Sequence, residues 1–236
     1  MTIAFLPIEI DVQLPNETKL LEFCREFGVP NNSKDGYSNW WNVVPVYTRG
    51  PTEVWYDFVK SKEMIKYRNS PGKGPGHWAN EINKVFPEIQ YMLEQLPFKE
   101  MGVVSLLEQQ VPVGYHTDNH EWEVNEDPTE VALELEPRRY NILMNKFEYK
   151  SFFVAESPGA EKIYPKITKE RPCHVICDRY HAHGADYAGP GKIMLGVFGG
   201  VLDRPRHLEM IRKNLEKYRD EAVVFDTPPY NNKEIK

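Results

Sequence analysis

Cysteine is scarce in this 236-residue chain. Cys24, Cys173 and Cys177 cannot make a disulfide framework, and an odd count suits a reducing compartment. No second pair joins Cys173 and Cys177 to complete a zinc site, so the reading is buried small hydrophobes. Blocks of Lys or Arg are also missing. With 29 basic and 35 acidic residues the formal charge is −6. That disfavours extended contact with a nucleic-acid backbone, while a local groove for one flipped base stays compatible. Apolar runs are short, and none approaches the roughly 20 residues of a membrane span. The opening run Met1–Asp11 has no basic leader and is interrupted by Pro7, Glu9 and Asp11, so no signal peptide is expected. These absences predict a soluble, cytoplasmic protein with no membrane partner. No repeat or interdomain linker stands out, which predicts one domain over residues 1–236.

What is present begins with a core: 41% hydrophobic and 12% aromatic residues are enough to bury one. Residues 3–13 read as an opening strand. Asn16 caps a helix through Phe27, with Leu20, Phe23, Cys24 and Phe27 on one face and Gly28 as the stop. Residues 29–39 read as a polar loop, and Trp40 to Tyr47 as a strand ended by Gly50-Pro51. Ser70 to Gly76 is glycine-rich but lacks the Gly-Lys-Ser/Thr ending of a phosphate cradle, so it reads as a surface connection. Ile82, Phe86, Ile89, Met92 or Leu93, and Leu96 make a helical stripe in which Pro87 starts a fresh helix. From residue 100 the pattern changes to short β-like runs at 101–110, 130–136, 139–145, 151–156, 172–178 and 192–200. Many short strands between turn signals predict a β sandwich or barrel. A helix at 205–220 closes the chain, with Leu208, Ile211, Leu215 and Tyr218 on its apolar face, and Asn231 to Lys236 reads as a disordered tail. The expected architecture is a β core over 100–200 supported by residues 1–99.

The chemistry gathers at Tyr115-His116-Thr117-Asp118. His116 and Asp118 share a face of an extended backbone, giving an imidazole and a carboxylate side by side. They are two thirds of a 2-His-1-carboxylate triad, which holds a metal and leaves positions open. A further histidine comes from Asp178-Arg179-Tyr180-His181-Ala182-His183, where His181 and His183 are both available. Spacing from Asp178 and the small residues Gly184-Ala185 favour His183. Lys192 follows nine residues later, and a hairpin would set it on the neighbouring strand, where a cation can hold the far carboxylate of a dicarboxylate ligand. His120 is a loop histidine in this reading. Tyr37, Trp40 and Trp41 either line an entrance or pack the core, and Trp122 is a candidate lid residue.

His116-x-Asp118, a distal His183 and a cation about ten positions on resemble the Fe(II)/2-oxoglutarate-dependent dioxygenases. The resemblance covers about residues 100–200 and is closest to the aspartyl/asparaginyl β-hydroxylase-like branch. There a strand Arg-x-His-x-x-Leu follows the proximal His, matched here by Arg139-Tyr140-Asn141-Ile142-Leu143-Met144. This implies a double-stranded β-helix, a jelly-roll or cupin-like barrel. It also implies Fe(II) on His116, Asp118 and His183, with 2-oxoglutarate and O2 on the open positions and ascorbate as a reductant. Lys192, Arg139 and Asn141 would be the residues holding 2-oxoglutarate. The implied reaction is hydroxylation of a C–H bond of a peptide side chain, amino acid or small metabolite, with release of succinate and CO2. Asn141 stands where the branch has His, and Lys192 where it usually has Arg, so substrate identity does not carry over. Two competing expectations remain: a cupin-like barrel that binds metal and a small molecule without oxygenase chemistry, and a zinc or manganese hydrolase or isomerase on the same ligands.

Overall fold

A computed structural model describes residues 1–32, 39–49, 76–118, 136–147, 150–186 and 191–226. Within them the chain is mainly antiparallel β-sheet with flanking helices. The strands are β1 (Thr2–Pro7), β2 (Val29–Asn32), β3 (Asn39–Arg49), β4 (Gly76–Trp78), β5 (Phe98–Gln109), β6 (Val113–His116), β7 (Arg139–Leu143), β8 (Phe153–Ala155), β9 (Cys173–Ile176), β10 (Ala182–Ala185), β11 (Ile193–Leu202) and β12 (Val223–Phe225). The helices are α1 (Glu17–Phe27), α2 (Ile82–Val85), α3 (Pro87–Glu94) and α4 (Arg204–Lys217).

Nine strands form one sheet in the order β12-β1-β9-β7-β11-β5-β3-β2, with β4 paired to β3. A second sheet runs β6-β10-β8. From β5 to β11 the chain alternates between them: β5, β7, β9 and β11 join the large sheet, and β6, β8 and β10 the small one.

The large sheet has two chemically different faces. Its outward row Val44, Leu106, Leu195, Ile142 and Cys173 is matched in register across five strands. That face packs with Leu20 and Phe23 of α1 and with Ile82, Ile89, Met92 and Leu93 of α2 and α3. Facing the small sheet, Phe5, Leu143, Phe152, Val154 and Ile176 form a smaller apolar cluster.

Local signals explain the helices. Asn16 accepts a hydrogen bond from the Lys19 amide (3.1 Å), capping α1 as expected. Gly28 ends α1 with φ −74°, so no left-handed residue is used. A Cβ there would sit 2.3 Å from the Cys24 carbonyl oxygen, and this close approach is what requires glycine. Pro87 opens α3 in its first turn, as its missing N–H permits.

Several expectations are corrected. The opening strand stops at Pro7 instead of reaching residue 13, because the chain then turns and the Asp11 amide donates to Gln95 Oε1 (2.8 Å). Residues 29–32 are strand, not loop: pairing with the long β3 outweighs the weak strand preference of Pro and Asn. On α4, Ile211 and Leu215 pack partly buried against the core as expected, but Leu208 is exposed and the buried side chains are His207 and Asn214. The cause is polar anchoring: His207 Nδ1 meets Tyr140 Oη (2.8 Å), and Asn214 Oδ1 accepts from the Glu9 amide (2.9 Å). His183 and Lys192 are not hairpin neighbours, since β10 belongs to the small sheet and β11 lies between β7 and β5 in the large one. The expected strand over 130–135, most of the Ser70 loop and the tail lie outside the described residues.

All three cysteines are buried and free, as expected, and burial pushes the Cys24 thiol up to about 12. Among the described residues no helix is long and apolar enough to cross a membrane.

Candidate metal centre

The site starts with an irregularity in β6. His116 pairs with His183 and Val113 with Ala185, so three steps along β6 oppose two along β10. Such a bulge re-aims side chains, and here His116 and His183 stand opposite one another with ring centroids 4.2 Å apart. Asp118 lies two residues past the end of β6, held by its amide donating to the Asp178 carbonyl (2.8 Å). One ligand atom from each of His116, Asp118 and His183 falls within 4.8 Å of the others.

The protons are arranged for ligation. His116 Nδ1 lies 2.9 Å from the Gly114 carbonyl, and His183 Nδ1 lies 3.5 Å from that of His181. A carbonyl only accepts, so His116 carries its hydrogen on Nδ1 and its Nε2 presents a lone pair. His183 Nε2 is 3.4 Å from Asp118 Oδ2. Burial first, then the neighbouring His183, pushes His116 down to about 3, which keeps it a neutral ligand near pH 7. Two imidazole nitrogens and one carboxylate oxygen suit a divalent first-row metal with open positions.

His181 takes no part in the cluster. It precedes β10, so strand alternation does not govern it, and its Nε2 pairs with Thr2 Oγ1 (2.9 Å) while its ring lies tilted against Phe225, centroids 4.9 Å apart. Of the two histidines, His183 is the one that clusters with His116 and Asp118.

Facing the cluster is the inward side of the large sheet. Arg139 and Asn141 share that face as expected, with Arg139 Nε 3.4 Å from Asn141 Oδ1. The Arg139 guanidinium pairs with Asp118 and lies 3.4 Å from Asp178 Oδ2, tying the wall to the candidate ligand set. Adjacent Arg138 instead reaches Glu136 (3.5 Å).

Lys192 is also inward and is 1% exposed. Ile193, Leu195 and Val197 alternate against it in the outer core, as expected. Its ammonium donates to the Ser151 carbonyl and lies 5.9 Å from the Trp41 ring centroid. Burial pushes it down to about 7.

Sequence reading missed His174, a buried histidine on the same wall, and Phe152, whose ring lies 5.2 Å from His174 and 6.3 Å from His183. The available signal was one polar residue inside the apolar run Cys173-His174-Val175-Ile176. Tyr37, His120, Trp122 and the Trp40 side chain lie outside the described residues.

No family model matches the chain, and neither the curated proteins nor the solved structures yield a match.

Proposed function

We propose that this chain is an Fe(II)- and 2-oxoglutarate-dependent dioxygenase built on a double-stranded β-helix. It would hydroxylate a C–H bond of a peptide side chain, amino acid or small metabolite. The observation that carries this is the facing of two groups across the sheets. His116, Asp118 and His183 stand on the small-sheet side, and Arg139, Asn141 and Lys192 stand on the opposing wall. The alternation of β5 to β11 between two sheets supports the jelly-roll reading, since that fold winds successive strands in this way.

In this reading His116 and His183 offer neutral Nε2 atoms, and Asp118 supplies the charge that favours a divalent ion. Fe(II) with 2-oxoglutarate and O2 supplies the oxidising chemistry, releasing succinate and CO2, with ascorbate as an external reductant. Lys192, inside the barrel, anchors the far carboxylate of the cosubstrate. Arg139 serves the carboxylate near the metal, with Asn141 beside it on the same wall. Asp178 orients Arg139 as a second acceptor, so the guanidinium keeps a partner when Asp118 turns to metal. The inner wall keeps water away and the reacting groups aligned.

The test uses purified protein with Fe(II), ascorbate and carboxyl-labelled 2-oxoglutarate. Labelled CO2 should be released slowly even before the prime substrate is found. Absence of release across a substrate library, together with no 2-oxoglutarate binding to metal-loaded protein, overturns the reading.

A further inference from the structure

Between Arg139 and Lys192 the inner wall carries two buried polar groups with open bonding capacity. His174 sits between Phe5 (centroids 5.0 Å, interplanar 30°) and Phe152 (5.2 Å). Its Nδ1 lies 3.4 Å from the Pro172 carbonyl, so the hydrogen belongs on Nδ1. Nε2 is then a buried lone pair without a partner among the described residues. Asn141 is its register partner on β7 and is fully buried. With Asn141 Oδ1 facing Arg139, Nδ2 points elsewhere and also lacks an acceptor. Buried polar atoms are almost always satisfied in folded proteins, so two side by side imply something that fills the gap.

Its surroundings favour an anion. Asn141 and His174 belong to an inward row that continues through the small Gly196 and Ser105 to Pro45. Lys192 and Arg139 both act electrostatically on His174. Among the paired inward residues of β1, β3, β5, β7, β9 and β11 there is no Asp or Glu.

We propose that His174 and Asn141 bind the same ligand carboxylate that Lys192 anchors, and that His174 takes up a proton from solvent as this carboxylate seats. Asn141 donates through Nδ2–H. Protonated His174 donates through its new Nε2–H while Nδ1–H keeps its bond to Pro172. The one bond formed is Nε2–H, from the imidazole lone pair and a solvent proton, and no other bond is made or broken. This deepens the dioxygenase reading by adding His174 to the residues that hold its dicarboxylate and by placing Asn141 at the carboxylate Lys192 anchors, but it needs no metal.

The groups facing His174 set the sign. The residue before β11 contributes Lys192 and β7 contributes Arg139, while β1 and the stretch before β8 contribute Phe5, Pro7 and Phe152. Asp178 faces Arg139. Burial and the two cations therefore hold the free imidazole down to about 3, so it is neutral at pH 6. Lys192, at about 7, is already mostly charged there. Loss of the uptake in His174→Gln is what assigns it to His174 rather than to Lys192.

The experiment is calorimetric titration of glutarate into metal-free, full-length protein at pH 6, in two buffers of different ionisation enthalpy. Glutarate lacks the 2-oxo group that chelates a metal, so the wall is probed alone. The expected result is uptake of about one proton per bound glutarate. His174→Gln should abolish that uptake and weaken binding about 10- to 100-fold. Asn141→Leu should weaken binding about 10-fold and leave the uptake intact. Binding without proton uptake by the wild type overturns the proposal, as does unchanged uptake in folded His174→Gln, or no glutarate binding at all. If His174→Gln does not fold, the wild-type uptake and the Asn141→Leu titration decide. Glutarate binding with uptake alongside a failed CO2-release assay discards only the dioxygenase reading, and the converse discards only this one.

Discussion

The two faces of the large sheet are one residue apart in every strand and do opposite work. Val44, Leu106, Leu195, Ile142 and Cys173 form an outward row with no polar side chain. One step along, the inward row reads Pro45, Ser105, Gly196, Asn141 and His174. The first row gains from leaving water and holds the helices against the sheet. The second retains buried polar groups that each cost free energy, a pattern expected where a binding surface replaces a core. Strand alternation thereby sets an all-apolar row against a row that carries buried polar groups.

Four substitutions would break or sharpen that contrast. The largest effect is expected from His116→Ala, which should abolish binding of Fe(II) or Mn(II) by calorimetry and leave the circular dichroism spectrum and melting curve close to wild type. Retained metal affinity would remove His116 from the ligand set. Next, Leu195→Ala on the outward face should cost about 2–5 kcal/mol in denaturant unfolding, without altering dicarboxylate affinity in the folded fraction.

Lys192→Met, on the inward face, should do the reverse. It should weaken glutarate binding about 100-fold and raise stability at pH 6 by about 1–4 kcal/mol, because a buried charge is removed. The pH dependence follows from the lysine's lowered pKa. The unfolded chain binds this proton up to about 10.5 and the folded chain only to about 7, so the penalty is full below 7. It fades as pH rises toward 10.5. Wild-type stability should therefore rise across that window, and Lys192→Met should flatten the rise. A wild-type profile that does not rise there would show that Lys192 keeps an ordinary pKa. The smallest expected effect is Asn141→Leu, which should shift the unfolding midpoint by less than about 1 kcal/mol. A large destabilisation would mean that this row is structural after all.

Much of this was legible because strands write their faces at period two. The runs at 101–110, 139–145 and 192–200 found β5, β7 and β11, and the spacings of His116, Asp118 and His183 named the three residues that cluster. The separation of His183 and Lys192 onto different sheets was not legible, since loop length alone does not say which sheet receives the next strand. The β6 bulge was hidden for a similar reason, because a bulge is defined by its partner strand. His207 and Asn214 were overlooked because an apolar stripe was sought on α4, and the sequence carries no sign that Tyr140 and the Glu9 amide await them. His174 was missed, although one polar residue in the apolar run Cys173-His174-Val175-Ile176 is how an inward polar group on a buried strand looks.

The placement of β1 has a consequence for biosynthesis. This first strand lies between β9 and β12, with Phe5 opposite Ile176 and Thr2 opposite Phe225. At about 5–20 residues per second, a ribosome needs roughly ten seconds or more after making β1 to supply its first neighbour. Until then the apolar segment Ile3-Ala4-Phe5-Leu6 has no sheet to join. A nascent chain stalled before residue 173 would display that segment to chaperones, and completing the sheet edge becomes one of the last events of folding.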